Sequence, residues 1–336
     1  VFLAASWPFI HFPLTDGDIS HWVDWASQIA NTGQFLATES DQAHGPMLAW
    51  GSAIILKILG ASYYAFNGFN LVCSLGIFYL IYSLIRDYES DEFAYIGLVF
   101  ASISLGLIYM SRTPMYDWPA TTGYFGFCVT YARYLRESND KAGLWALLFL
   151  SFGALSRLSI VVGLSGIFML QMRVFKHLLF TESRDWLGCA RGVIKDSLGI
   201  ILVPILVYLP WIFVQAKTFP GVFLPEFLND NLLRFIRDHA GDPVQKDYLG
   251  FFFNAILAML PLSPLLLAGL MKEGRALFKT QPLFRLAVAS SLPCIIIFSF
   301  SGHTKMLRYI SYSFPGLVIL ASCLYKTLHS NTRYQT

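Results

Sequence analysis

Long apolar runs alternate with short polar intervals along most of the 336 residues. A membrane-crossing helix needs about 20 mostly apolar residues. Runs of that kind predict spans at 63–85, 93–111, 118–135, 197–216, 249–271, 283–300 and 309–325. The opening run, 1–12, reads as the outer end of an incomplete first span rather than a signal peptide, because no basic region precedes it. The interval 142–172 is too long for one upright helix at about 1.5 Å per residue and short for two. Cations flank both its ends: Arg133, Arg136 and Lys141 before it, and Arg173, Lys176, Arg184, Arg191 and Lys195 after it. Lys and Arg collect on the cytoplasmic side, so both ends belong to one compartment. The interval is therefore predicted to be a hairpin with Arg157 at its outer tip. The resulting picture is all-α, a polytopic transmembrane helical bundle of about ten spans, forming a single integral-membrane domain over residues 1–336.

The polar intervals then sort by side. The outer face is predicted to carry residues 13–62, the turn 111–118, the tip near Arg157, the loop 217–248 and the turn 301–309. The segment 47–60 is too short to span before Tyr63 and is predicted to be an interfacial helix, with Trp50 and Lys57 near the surface. A second interfacial helix is predicted at 225–241, where Phe227, Leu228, Leu232, Phe235 and Ile236 recur at helical spacing.

Composition supports the membrane assignment. Hydrophobic residues make up 55% of the chain and charged residues 13%, against roughly 25% charged in a soluble domain. A formal charge of +3 gives no reason to expect a nucleic-acid partner. The five cysteines form no CxxC or Cys/His cluster, so neither a disulfide framework nor a zinc site is indicated.

Five polar stretches could carry chemistry. Asp16-Gly17-Asp18, followed by His21, Trp22, Asp24 and Trp25, puts carboxylates just above the bilayer, where one could take a proton from an acceptor hydroxyl or hold a divalent cation. The same residues also read as a turn, with Asp18 or Ser20 as N-cap of a helix from about 19 to 31. In His44-Gly45-Pro46-Met47, Pro46 suits a helix start and His44 would face whatever anion sits there; a loop histidine without a role is the plainer reading. Arg112 and Asp117, in the turn between two spans, could pair with each other, meet lipid head groups or serve a site. Arg234 and Arg237 could hold a lipid-linked phosphate or snorkel to ordinary head groups. Lys305, Arg308 and Tyr309, where a span begins, make a phosphate clamp or an interfacial anchor. Carboxylates and cations from several loops on one side of a bundle suit an enzyme that handles an anionic, lipid-borne substrate. A transporter would place ionisable groups near mid-membrane and show repeat symmetry, and neither is visible.

These stretches also carry a resemblance. Asp18-Ile19-Ser20-His21-Trp22 stands where the polytopic GT-C glycosyltransferases have Asp-Glu-x-Arg-Tyr, and Asn31-Thr32-Gly33-Gln34-Phe35 follows at their distance. His44-Gly45-Pro46-Met47 stands for Lys-Pro-Pro-Leu, and Arg112 to Asp117 for their Arg/Asp turn. Gly153 to Arg157 resembles Gly-Leu-x-x-Leu-x-Lys, and Pro210-Trp211 their Pro-Trp. Asp230 to Phe235 stands for Glu-His-x-x-Arg-Tyr/Phe, and Ser301 to Tyr309 for Ser-x-x-Lys-x-x-x-Tyr. The chain thus resembles the group of dolichyl-phosphate-mannose protein mannosyltransferases and aminoarabinose (ArnT-type) transferases, over nearly its whole length.

That resemblance implies a membrane glycosyltransferase moving a hexose or pentose from a polyprenyl-phosphate donor to a lipid, glycan or protein acceptor. Transfer would occur at the extracytoplasmic face of a bacterial inner membrane, among membrane lipids. It implies Asp18 as the catalytic carboxylate, with Asp117 a second one and Asp16 a catalytic neighbour of Asp18. Arg234, Lys305, Arg308, His44 and Arg157 would hold the donor phosphate, with His21, Trp22, Arg112 and Tyr309 also at the site. A lipid-linked glycan transporter or flippase is the alternative. The chain departs from the pattern at Ile19 for Glu, His44 for Lys and Asn231 for His. Ala43 stands where a carboxylate is expected, Asp41 being the nearest, so metal dependence stays open.

Overall fold

The computed structural model describes residues 17–35, 45–60, 62–180, 186–228, 249–269, 272–300 and 307–333. Among these there is no strand. The chain runs through α1 (Gly17–Thr32), α2 (Met47–Leu59), α3 (Tyr63–Tyr88), α4 (Asp91–Ile103), α5 (Leu105–Arg112), α6 (Asp117–Glu137), α7 (Asp140–Ala154) and α8 (Leu158–Phe180). It continues through α9 (Trp186–Thr218), α10 (Phe223–Leu228), α11 (Gly250–Ala258), α12 (Ser263–Ala268), α13 (Lys272–Thr280) and α14 (Pro282–Phe300) to a 3-10 helix (Leu307–Ser313) and α15 (Phe314–Arg333).

Helix α6 is the axis of the bundle. Nearly every residue from Asp117 to Ala132 is buried, with α3, α7, α8 and the 3-10 helix packed around it. Being shielded by protein, it tolerates Thr121, Thr122 and Thr130, whose hydroxyls return to carbonyls one turn back. The lipid side is carried by helices such as α9. Its roughly 50 Å length at 1.5 Å per residue exceeds a bilayer core, and Leu202, Leu206 and Phe213 are exposed along it.

The protein is an integral membrane protein. Among the described residues, four helices are long and apolar enough to cross a bilayer, at Ala65–Tyr88, Leu158–Lys176, Trp186–Thr218 and Pro282–Phe300, or five if a bent pair counts as one. The expected ten spans are therefore not confirmed, and residues 1–12 lie outside the described residues. The bent pair is α4 and α5, which meet at 62° where one span over 93–111 is expected. Ser104 leaves helical geometry there, and Leu105 N–H donates to Leu260 O at 3.1 Å, so the break leaves that donor paired. The expected span 249–271 is likewise two short helices, because Pro261 and Pro264 interrupt the helical ladder. The hairpin over 142–172 forms as α7 and α8, joined through Leu155, Ser156 and Arg157.

The ends of the bundle differ in charge. At one end, where α3, α6 and α8 finish, Arg133 Nε lies 2.5 Å from Asp87 Oδ2, and Arg173 Nη2 lies 2.6 Å from Asp196 Oδ2, which also accepts from the Tyr131 hydroxyl. Those pairs staple α3 to α6 and α8 to α9. The opposite end, where α6 and α8 begin, holds the residues described next.

Candidate active site

The α6–α7 crossing fixes the geometry. A Cβ on Gly123 would fall 2.3 Å from Gly153 Cα, and one on Gly126 would fall 2.2 Å from the Phe149 ring. The two helices therefore meet at backbone distance, the small-residue packing that membrane helices favour. Gly153 lies just before the α7–α8 turn, so that turn is pressed against the start of α6.

The consequence is a buried ion pair. Arg157 Nε lies 3.4 Å from Asp117 Oδ1, with the arginine 7% exposed and the aspartate fully buried. Asp117 opens α6, where the helix dipole favours a carboxylate. The Tyr312 hydroxyl donates to the same Oδ1 at 3.4 Å, and Thr121 Oγ1 meets Ser311 Oγ at 3.0 Å, fixing the 3-10 helix against α6. The Arg157 guanidinium also lies 4.0 Å above the Tyr116 ring centroid. Burial would lower the Arg157 pKa, but Tyr116 and Asp117 beside it outweigh that and raise it, so the group is cationic at any working pH. Burial pushes the Tyr116 phenol up to about 12, against the pull of Arg157, which leaves it a neutral ring under the guanidinium.

Two more segments join this pair. Trp22 packs edge-on against Tyr116, centroids 5.4 Å apart at 63°, which docks α1 on the cluster. Asp18 occupies the position one helical turn before Trp22 on α1. The segment after residue 44 is bound backbone to backbone: Gly45 N–H donates to Ser156 O at 3.4 Å and Met47 N–H to Leu155 O at 3.2 Å. A Cβ at Gly45 would lie 1.8 Å from Leu155 O, so only glycine fits. The Tyr208 hydroxyl closes the other side, 2.9 Å from that same point. Within this cluster of polar groups, Arg157 Nη2 and Ser156 Oγ are buried with no hydrogen-bond partner among the described residues.

Arg308 approaches from the 3-10 helix. Its Nη1 lies 3.4 Å from Met115 Sδ and its guanidinium 5.5 Å over the Tyr309 ring, which stacks on Phe298 at 5.9 Å and 11°. Arg112 ends α5, partly buried, at the same turn.

Of the residues expected at a site, the structure gathers Trp22, Asp117, Arg157, Arg308 and Tyr309 at one end of the bundle. Asp16, His44, Arg234, Arg237 and Lys305 lie outside the described residues, as do the side chains of Asp18 and His21. Helix α1 starts at Gly17, ahead of the expected 19, so Asp18 and Ser20 stand within its first turn instead of capping it. Among the described residues no three His, Cys, Asp or Glu side chains converge to hold a metal ion. Sequence reasoning missed Tyr116, Ser156, Tyr208 and Tyr312. Ser156 and Tyr312 lie inside stretches singled out for their cations, and Tyr208 lies just before Pro210-Trp211.

The family model for dolichyl-phosphate-mannose-protein mannosyltransferase matches residues 43–213, just over half of the chain. The chain belongs to that family. The match runs from the Gly45 segment through Asp117 and Arg157 to Trp211, so it covers most of the cluster. Among solved structures, ArnT from Cupriavidus metallidurans has the same fold in its apo state, with a TM-score of 0.76 at 15% identity over 96% of this chain. The same ArnT bound to undecaprenyl phosphate also matches at 0.76 and 15% identity, over 97%. This mannosyltransferase-family chain spans 58% and 59% of the length of those two ArnT chains. No curated protein matches it.

Proposed function

We propose that the protein is a GT-C membrane glycosyltransferase that moves a sugar from a polyprenyl-phosphate donor to an acceptor at the extracytoplasmic face. The observation that carries this reading is the backbone docking of Gly45–Met47 onto Leu155–Ser156, next to Arg157 and its partner Asp117. It joins three stretches that resemble the family's motifs into one polar cluster at the end of the bundle opposite the basic cluster. Family membership supports it, as does the fold shared with an ArnT crystallised with undecaprenyl phosphate.

In this reading Arg157 offers a free, buried N–H to the donor phosphate, and Arg308, Lys305, Arg234 and His44 add positive charge to its binding. Asp117, fully buried and paired with Arg157, is a positioning residue: it holds the guanidinium while Tyr116 supports its face. Asp18 is the catalytic carboxylate, one turn from the Trp22 anchor, with Asp16 adjacent. The acceptor oxygen attacks sugar C1, the bond from C1 to the phosphate oxygen breaks, and polyprenyl phosphate leaves with its charge stabilised by the cations. A hydroxyl acceptor gives its proton to Asp18; a phosphate acceptor has none to give, and Asp18 then orients it.

The positive-inside rule puts the basic end in the cytoplasm and this site outside, in a bacterial inner membrane. The whole of residues 1–336 then works as one GT-C-like domain. Asp18→Asn is expected to abolish formation of a labelled glycosylated product from a labelled polyprenyl-phosphate sugar while leaving the yield of folded protein unchanged. Full activity in that variant removes Asp18 from the chemistry.

A further inference from the structure

At the basic end, about one α6 length from Asp117, a cleft of about 460 Å³ opens between α6, α8 and α14. Its walls include Ala132, Leu135, Met172, Phe175 and Leu286, and its polar lining is Tyr88, Arg136, Lys176 and Arg285. The three cations differ in how they are held. Arg136 is neutralised, with Glu137 Oε1 at 2.5 Å and Asp87 Oδ2 at 3.9 Å. Lys176 Nζ donates only to the backbone, to Leu135 O at 2.6 Å. Arg285 is 8% exposed and uses Nη1 alone, on the carbonyls of Phe278 and Lys279 that end α13. Among the described residues, neither Lys176 nor Arg285 has a carboxylate within ion-pair distance.

Two cations without counter-ions in an apolar cleft are unfavourable unless an anion joins them. The apolar walls require that the anion also bring hydrocarbon. The mouth lies where α8 and α14, both long enough to cross a bilayer, meet the charged end of the bundle. Basic pockets between membrane helices on the cytoplasmic side are a recurrent lipid-headgroup geometry.

We propose that this cleft binds the phosphate of an anionic membrane lipid between Lys176 and Arg285, with its acyl chains along Met172, Phe175 and Leu286. The site is separate from the glycosyl-transfer site and does not depend on that reading. It has a structural consequence for it, however: α6 leads to Asp117, α8 follows Arg157, and α14 precedes the 3-10 helix with Arg308 and Tyr312. A lipid seated here clamps the three elements whose far ends carry the cluster.

The test uses the full chain in a neutral detergent. Thermal unfolding is followed with added phosphatidylglycerol, phosphatidylcholine or inorganic phosphate. Phosphatidylglycerol is expected to raise the midpoint in a saturable way and the other two are not. In K176Q/R285Q its affinity falls by about tenfold or more, as expected from loss of hydrogen bonds to charged groups; K57Q, at an exposed position on α2, keeps the wild-type response. An equal shift from phosphatidylcholine, an equal shift from inorganic phosphate alone, or an undiminished shift in the double variant each overturns the proposal. Should the double variant fail to fold, a photoactivatable phosphatidylglycerol on the wild-type chain decides. Crosslinks on peptides holding Met172 or Phe175, competed by unlabelled phosphatidylglycerol but not phosphatidylcholine, support the site, and their absence refutes it.

Discussion

The buried pair Arg157–Asp117 is the joint between α6 and the α7–α8 turn, and removing either charge leaves the other buried without its opposite. At 3.4 Å two unit charges attract by about 5 kcal/mol with the effective dielectric near 20 that suits protein sites. Breaking a buried pair from one side costs about 3–5 kcal/mol, because the remaining ion stays buried without compensation. Asp117→Asn takes the carboxylate from Arg157, and Arg157→Gln takes the guanidinium from Asp117. For a chain of 336 residues, about 1.5 °C per kcal/mol turns that into a midpoint lowered by about 5–7 °C for each single variant. The double variant D117N/R157Q removes both charges and is expected to recover most of the loss, so the cycle shows a coupling of about 3 kcal/mol or more. Thermal unfolding in detergent measures stability, and sugar transfer is assayed on the same samples. The double variant should be stable yet inactive, because the guanidinium meant for the donor phosphate is gone. Single variants each costing under about 1 kcal/mol, as exposed pairs do, and adding up in the double, would refute the buried-pair reasoning.

Gly45→Ala places a methyl 1.8 Å from Leu155 O; expected are a destabilisation of about 1–3 kcal/mol by overpacking and a loss of transfer larger than the stability loss explains, read from activity at equal folded fraction. Gly123→Val drives a side chain into Gly153, separating α6 from α7. A thermal midpoint that falls with Arg157 becoming accessible to an arginine-modifying reagent checks it. Tyr312→Phe removes one hydroxyl donor from Asp117 and is expected to cost only about 0.5–1.5 kcal/mol, with transfer reduced rather than abolished.

Charge patterning made the α7–α8 hairpin legible, because cations at both flanks of 142–172 left Arg157 no position but the turn. Apolar run length alone gave α3 and α14 their approximate limits, but α9 begins at Trp186, ahead of the expected 197. It failed at Ser104, where the bend depends on Leu260 O, a carbonyl far along the chain and invisible to any local window. It also treated α6 as one more span, although its threonines and Asp117 are tolerable only because other helices surround it. For the site, Asp117 and Arg157 were legible as charges in a membrane chain, but their pairing was not. Thr121–Ser311, Asp117–Tyr312 and Gly45–Ser156 are all contacts between distant segments. Tyr208 and Tyr312 gave no signal because tyrosines are common in this chain, 17 in all, and only tertiary placement separates these two from the rest.

The most direct test of the proposed glycosyl transfer is a mass balance with purified wild-type protein, a polyprenyl-phosphate sugar labelled in the sugar, and a membrane extract as acceptor source. The expected result is labelled sugar on a new acceptor, with one polyprenyl phosphate released per sugar transferred and no product from Asp18→Asn. Labelled donor that crosses vesicle membranes intact, with no glycosidic bond made and no polyprenyl phosphate released, would contradict it and favour a lipid-linked glycan transporter.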